Sequence, residues 1–77
     1  MFRIAVNLND NEADTYLYWG KTLSMLGMEE FAIEKFEKGN QIDPFNAEIY
    51  EAWANSYKKI ENFEKASQIY QMATEYI

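Results

Sequence analysis

Carboxylates are the side chains of this 77-residue sequence with the most potential for chemistry, because it contains 13 Asp and Glu but neither His nor Cys. Neighbouring pairs such as Glu29/Glu30 and Glu34/Glu37 could in principle supply the acid and the base of a hydrolase. Glu34, however, stands four residues before Lys38, the spacing of ion pairs on a solvated helix face. A nucleophile would also lack its usual base without His or Cys. We therefore predict no catalytic residues and no enzyme.

Three acidic residues near the start of the chain have the spacing of a metal-binding loop. Asp10, Glu12 and Asp14 alternate as at the beginning of a calcium loop, but that loop needs Gly at its sixth position and Glu at its twelfth. Thr15 and Lys21 occupy those positions. Carboxylates here are better interpreted as caps for a following helix, whose N-terminus they stabilise. We therefore predict no metal and no cofactor.

Charge and hydropathy exclude two classes of partner. The net charge is −6 and the seven Lys and Arg are scattered, whereas nucleic-acid binding needs clustered basic residues. The apolar run within residues 1–6 is too short for a secretory signal, and no segment approaches the roughly 20 apolar residues of a membrane span. We expect a soluble, cytoplasmic protein that binds neither nucleic acid nor membrane.

Sparse turn residues favour long helices joined by short turns. The sequence has one Pro and three Gly, too few for a sandwich or barrel, which needs a turn signal about every 8–12 residues. Breaks are predicted at the Asn- and Asp-rich segment 7–11, at Gly27, at Asp43–Asn46 and at Glu61–Asn62. The helical segments between these breaks are predicted at 1–8, 13–26, 29–42, 47–60 and 63–76.

Apolar side chains recur at helical spacings of three and four within each segment. In the segment 13–26 the stripe is interrupted by Gly20, which costs about 1 kcal/mol in a helix interior and therefore indicates that another backbone passes close by. Ala54, also small, holds the matching place in the segment 47–60. The residues predicted to face the core are Phe2, Ala5, Leu8, Tyr16, Trp19, Gly20, Leu23, Leu26, Phe31, Ala32, Phe36, Gly39, Ile42, Tyr50, Trp53, Ala54, Tyr57, Ile60, Ala66, Ile69, Tyr70 and Ala73.

The aromatic spacing occurs twice in the chain, in the same phase. Tyr16-x2-Trp19-Gly20-x2-Leu23 returns as Tyr50-x2-Trp53-Ala54-x2-Tyr57, and Ala32-x3-Phe36 returns as Ala66-x3-Tyr70. Together with Pro44, this pattern resembles the tetratricopeptide repeat, whose signature is W-x2-L-G-x2-Y, A-x3-F and P over about 34 residues. Glu29 and Glu61 depart from it, since they stand where the family places an aromatic residue and the turn Gly.

The resemblance implies an all-α fold in which antiparallel helical hairpins stack as a short right-handed α-solenoid. We expect residues 1–10 to be the closing helix of a truncated repeat, 13–46 to be the first full repeat and 47–77 an incomplete second one. Because no capping residue precedes Phe2 and the second copy stops just short of the place for its Pro, we also expect the chain to be part of a longer array.

In proteins of this kind the first helices of successive hairpins line a concave groove that holds an extended peptide or a helix. A helical-wheel projection identifies the side of each first helix that its own hairpin does not use. Some members of the family clamp a carboxylate with Lys, Arg and Asn side chains. Only Asn55 stands here where such a residue is expected, so we expect a guest of mixed charge. The predicted partner-binding residues are Asp14, Leu17, Lys21, Ser24, Met25, Glu48, Glu51, Asn55, Lys58 and Lys59.

The alternatives for the groove and for the chain remain open at this point. The same ten residues could form a plain solvated surface. The repeats could be purely architectural and self-associate through the exposed faces at Phe2/Ile4 and Ile69/Tyr76, or they could be the docking arm of a larger enzyme. The leading prediction is a protein–protein interaction module, an adaptor or scaffold for a protein or peptide partner.

Overall fold

Four consecutive helices form the fold. A computed structural model of the chain describes residues 2–76, with side chains described for residues 12–75. Each helix packs against the next in the chain, and the first also contacts the third. This arrangement confirms the predicted all-α fold of helical hairpins. The helices are α1 (Phe2–Met25), α2 (Glu29–Ile42), α3 (Ala47–Lys59) and α4 (Phe63–Tyr76).

Helix α1 is longer than the sequence predicted. It is continuous across residues 7–11, where the cluster of Asn and Asp was expected to end one helix before another began near Ala13. Such residues cost at most about 0.7 kcal/mol each relative to Ala in a helix, and the segment contains no Pro or Gly, so the predicted break is wrong. The proposed core positions Phe2, Ala5 and Leu8 lie outside the residues whose side chains are described.

The turns within the two hairpins have the same backbone geometry at equivalent positions of the repeat. Gly27 and Glu61 both have positive φ angles, of 84° and 64°. The N–H of the residue that follows donates to the carbonyl five residues earlier, over 2.9 Å in the first turn and 2.8 Å in the second. These features define a Schellman motif. Equal turns give the two hairpins the same shape and let them stack.

The connection between the hairpins is fixed by side chains that bond to the backbone. The Asn46 side chain accepts hydrogen bonds from the N–H groups of Glu48 and Ile49, at 3.0 and 3.4 Å, and so caps α3 as the sequence predicted. The Tyr50 hydroxyl donates to the Pro44 carbonyl at 2.6 Å. This bond holds the start of α3 against the turn that leads into it.

A single core lies where α1, α2 and α3 meet, and it continues between α3 and α4. Many of its members were predicted from the repeat, including Ala32, Phe36, Tyr50 and Trp53. Ala13, Leu17 and Ile49 were not. The buried apolar residues are Ala13, Leu17, Ala32, Phe36, Ile49, Tyr50, Trp53, Ala54, Ala66 and Ile69.

Five residues predicted to face the core are exposed instead: Trp19, Leu26, Phe31, Ile60 and Tyr70. The spacing of apolar residues shows which side of a helix they share, but it does not show whether another helix covers that side. Among the described residues no helix packs on the outer sides of α1 and α4, whose neighbours are α2 and α3. Within the described part of the chain, Trp19 and Tyr70 therefore keep about half of their surface exposed.

Gly20 has a close neighbour, as expected, but the neighbour is a side chain. A Cβ placed on Gly20 would lie 2.5 Å from Cε1 of the Phe36 ring. The prediction of a close backbone at this position is wrong. The glycine makes room for the Phe36 ring, which fills the space between α1 and α2 and is itself almost fully buried.

Candidate partner-binding groove

The side chains of α1 and α3 that face away from their own hairpins border one cavity of about 370 Å³. The two helices are brought together by α2, which packs against both. Helices α1 and α3 also contact each other directly, since the Lys59 ammonium donates a hydrogen bond to Ser24 Oγ at 3.0 Å. The cavity is lined by Lys21, Ser24, Met25, Phe36, Ala52, Asn55 and Lys59.

The floor of the cavity is apolar. The Phe36 ring lines it from below, and the half-buried Ala52 lines it from α3. Met25 stands at the rim with 83% of its surface exposed. An exposed Met beside a buried ring offers a flexible, polarizable contact for an apolar side chain.

A polar cluster closes the cavity at the end of the helices. Ser24 Oγ donates to Glu29 Oε1 at 2.8 Å, and the Lys59 ammonium lies 3.8 Å from Glu29 Oε2. The Lys59 side chain is about half exposed, so this ion pair is worth at most about 1 kcal/mol. An ammonium has three donors, and Ser24 accepts a hydrogen bond from one of them, whereas Glu29 at 3.8 Å is beyond hydrogen-bond distance. Lys59 therefore keeps two donors for a ligand.

Lys21 supplies a second positive charge at the rim. Its ammonium lies 5.7 Å from the centre of the exposed Tyr18 ring and forms no ion pair with any described carboxylate. Among the residues with described side chains, no carboxylate lines the cavity itself, although Glu29 lies beside Lys59 at its end and the chain as a whole carries a net charge of −6. The cavity is therefore a local positive region on an acidic protein.

Five of the ten predicted partner-binding residues line the cavity: Lys21, Ser24, Met25, Asn55 and Lys59. Leu17 was expected at the groove surface, but it has 0% exposure. It cannot contact a partner, because α2 and α3 enclose that side of α1 in the core. The prediction for Leu17 is therefore wrong.

The other four predicted residues lie outside the cavity lining. The Lys58 ammonium lies 6.0 Å from the centre of the Tyr70 ring and so points toward α4. Asp14 accepts a hydrogen bond from the Asn46 side chain at 3.5 Å, which ties α1 to the turn before α3. Glu48 and Glu51 are exposed on α3. In the part of the chain with described side chains, no group of three or more Asp or Glu is arranged to hold a metal.

Phe36, Ala52 and Glu29 are parts of the site that sequence reasoning did not assign to it. Phe36 was predicted as core, and it is both core and cavity floor. Glu29 was considered for an acid–base pair with Glu30 and as a departure from the aromatic residue of the repeat pattern, but not as part of the groove. The spacing of five residues between Ser24 and Glu29 could have predicted this contact, since the turn at Gly27 folds the chain back and brings the two side chains together.

The comparisons with known proteins agree with the repeat architecture. The chain is similar to the TPR repeat-containing protein MJ0798 of Methanocaldococcus jannaschii, with 42% identity over 55 residues, which are 71% of this chain. The chain spans 16% of the length of that relative. No family model and no solved structure matches it. None of the helices within residues 2–76 has the length and apolar character that crossing a membrane requires. The repeated aromatic pattern, the stacked hairpins and this relative together show that the chain belongs to the tetratricopeptide-repeat family.

Proposed function

We propose that the chain is an adaptor or scaffold module that holds a peptide or a helix of a partner protein in the groove between α1 and α3. Repeats of this family generally serve protein–protein interaction. The observation that supports the groove is the cavity of about 370 Å³, whose lining includes five residues chosen from the sequence alone. A volume of this size suits one or two side chains of a ligand.

The lining favours a guest with an apolar side chain next to an acidic one. The apolar side chain would contact Met25, Phe36 and Ala52. The acidic one would pair with Lys21 and with the remaining donors of Lys59. Further along α3 the exposed carboxylates of Glu48 and Glu51 favour basic groups, so a segment of mixed charge fits the whole helix face.

The same proposal includes the division of the chain into a repeat over 13–46 and a second over 47–77. It is supported by the matching φ angles of Gly27 and Glu61. Residues 1–10 are proposed as the closing element of a preceding repeat, although α1 is continuous through residues 2–10.

Peptide selection tests the groove directly. Peptides selected from a random display library on the wild-type protein are labelled, and their binding is measured by fluorescence anisotropy. Replacing Lys21, Asn55 and Lys59 together with Ala should weaken binding at least about tenfold, which corresponds to about 1.4 kcal/mol. Surface substitutions usually change stability by about 0.5 kcal/mol or less, so helicity and melting temperature should stay close to those of the wild type.

The matched control changes the same residue types away from the cavity. Lys38, Gln41 and Lys65 are exposed and also comprise two lysines and one amide, so their replacement with Ala causes the same loss of charge. Binding should remain at the wild-type level in this control. Selected peptides that bind the groove variant as tightly as the control variant would show that the groove is wrongly assigned.

A further inference from the structure

The same repeat position is covered in one hairpin and open in the other. Trp53 of α3 has 7% exposure, whereas its counterpart one repeat earlier, Trp19 of α1, has 49%. Tyr50 is buried, whereas its counterpart Tyr16 is only half-buried. The difference arises because α2 covers this side of α3, whereas no described helix covers the corresponding side of α1.

The opposite end of the molecule shows the complementary difference. Phe36 of α2 has 1% exposure, and its counterpart Tyr70 of α4 has 40%. Phe36 is covered because α2 packs against both α1 and α3. Tyr70 has α3 on one side, and no helix among the described residues packs on the other. The outer side of α4 is thus equivalent to the side of α2 on which α3 is seated.

We propose that a second copy of this chain covers these faces by stacking head to tail, with the outer side of α4 of one copy on the outer side of α1 of the next. The interface repeats the packing of α2 on α3 within the chain. The second copy therefore extends the existing stack with the same repeat spacing. This is the reason to choose a second copy as the occupant over an unrelated protein. The two faces are complementary because the chain already contains a buried example of their contact.

Side-chain sizes along the proposed interface compensate for each other. Within the chain, a Cβ on Gly39 of α2 would lie 3.1 Å from Cδ1 of Ile49, so a small residue faces a large one. The counterpart of Gly39 is Ala73 on α4, and the counterpart of Ile49 is Thr15 on α1. Ala73 is larger than Gly39 by a methyl group, and Thr15 is smaller than Ile49. Close packing needs the summed volume of facing residues to be maintained. The change of both partners in opposite directions satisfies that need.

The face of α1 also has a cavity ready to receive side chains. It measures about 300 Å³ and is lined by Glu12, Thr15, Tyr16, Trp19 and Ile42. The Lys35 ammonium lies 3.9 Å from the centre of the Trp19 ring and covers it on the α2 side, so the ring is held in place while its other side stays open. In the stack, Ala73 of the preceding copy would face this cavity next to Thr15, as Gly39 faces Ile49 within the chain.

The proposed contact joins two different surfaces, so it is heterologous and does not close on itself in a pair. The wild-type protein should therefore form open-ended assemblies whose mean mass increases with concentration. Sedimentation velocity and light scattering over a wide range of concentration measure this. A wild-type protein that keeps the mass of one chain at the highest concentration overturns the proposal.

Two single substitutions and their mixture give the decisive test. Trp19→Glu blocks the α1 face and Tyr70→Glu blocks the α4 face, so each variant alone should have the mass of a single chain. In an equimolar mixture, the intact α4 face of the first variant meets the intact α1 face of the second. The mixture should form a one-to-one dimer and nothing larger. Two variants that still assemble alone, or a mixture that stays monomeric, would contradict the head-to-tail contact.

Controls separate this contact from loss of folding and from general stickiness. Circular dichroism should show wild-type helicity for each variant, and Trp19→Gln replaces Trp19→Glu if the charged variant unfolds. Phe31→Glu removes another exposed aromatic residue that lies on neither face, and it should assemble like the wild type. If Phe31→Glu abolishes assembly as completely as Trp19→Glu does, the association is unspecific and the proposal fails.

Discussion

Gly20 and Ala54 occupy the same repeat position, and the residue at each is set by the ring it meets. A Cβ on Gly20 would collide with the buried ring of Phe36. The counterpart of Phe36 is Tyr70, which lies partly in solvent, and there an Ala is accommodated. The identity of one residue thus depends on the burial of another on the next helix.

The substitution Gly20→Ala should destabilise the protein, although Ala is a better helix former than Gly. The gain in helix propensity is about 1 kcal/mol, whereas forcing a methyl group into a packed site costs about 1–3 kcal/mol. With a closest approach of 2.5 Å to a buried ring, we expect a net loss of up to about 2 kcal/mol in urea unfolding. In the double variant Gly20→Ala/Phe36→Leu the two effects should be far from additive. Simple additivity would show that the ring does not cause the loss.

Glu61 is a second residue whose backbone carries a cost. Its φ angle of 64° is in the left-handed region, which costs a non-glycine residue about 1–2 kcal/mol, while Gly loses about 0.5–1 kcal/mol more than other residues on folding. Glu61→Gly should therefore stabilise the protein by about 0.5–1 kcal/mol, as measured by the urea midpoint. Glu61→Gln controls for the lost charge and should change stability little.

Gly27 provides the reverse experiment at the equivalent turn. A Cβ there would have no neighbour within 4 Å, and φ is +84°. Gly27→Ala thus changes only the backbone strain and should destabilise the protein by about 1 kcal/mol. If Gly27→Ala leaves the urea unfolding midpoint unchanged, the left-handed backbone conformation at these turns does not affect the stability of the protein.

At the scale of helices, α1 and α3 carry the same aromatic motif but have different neighbours. Helix α3 lies between α2 and α4, so its Trp53 is enclosed. Among the described residues α1 is covered on one side only, and the Lys35 ammonium lies 3.9 Å from the centre of the Trp19 ring. The energetic weight of a motif residue therefore depends on the position of its helix in the stack.

Replacing each tryptophan with Ala should separate these two environments. Loss of a buried Trp costs about 3–5 kcal/mol, a large part of the stability of a domain this small. Trp53→Ala should therefore unfold most of the protein at room temperature. Trp19→Ala should cost about 1–2 kcal/mol, since only part of its surface is buried. Equal losses in dilute chemical unfolding would contradict the burial described for Trp19.

At the scale of the whole molecule, the protein is long and thin. Its extents are 43, 27 and 13 Å, so the helices form a stack in which each contacts mainly its neighbours in the chain. Stability in such a stack is close to a sum of nearest-neighbour terms. The two helices with neighbours on both sides, α2 and α3, should then be the most stable part.

Native-state hydrogen exchange measures that distribution. At low protein concentration, the central amides of α2 and α3 should exchange most slowly and those of α4 fastest, because α4 packs only on α3 and local opening follows local contact density. Concentrating the sample should slow exchange in α4 if copies stack as proposed. Uniform protection across all four helices would indicate one cooperative unit and contradict nearest-neighbour stability.

Much of this architecture follows from local rules. The bounds of α2, α3 and α4, the Asn46 cap and the turn at Gly27 agree with what single residues and helical spacing predict, because caps and turns depend on contacts a few residues apart. The spacing of the repeated motif also predicts which helices are equivalent. The continuity of α1 was missed because Asn and Asp weaken a helix without ending it.

The sequence by itself determined the hairpins, their order and the family, since these depend on local spacing and on the period. Only the tertiary structure decided which members of the motif are core. Leu17 is buried and Trp19 is exposed because α2 and α3 cover one side of α1 and no described helix covers the other. The cluster of Ser24, Glu29 and Lys59 was decided in the same way, because it joins residues up to 35 positions apart. Burial is a property of neighbours in space, and helical periodicity carries no information about whether a neighbour is present.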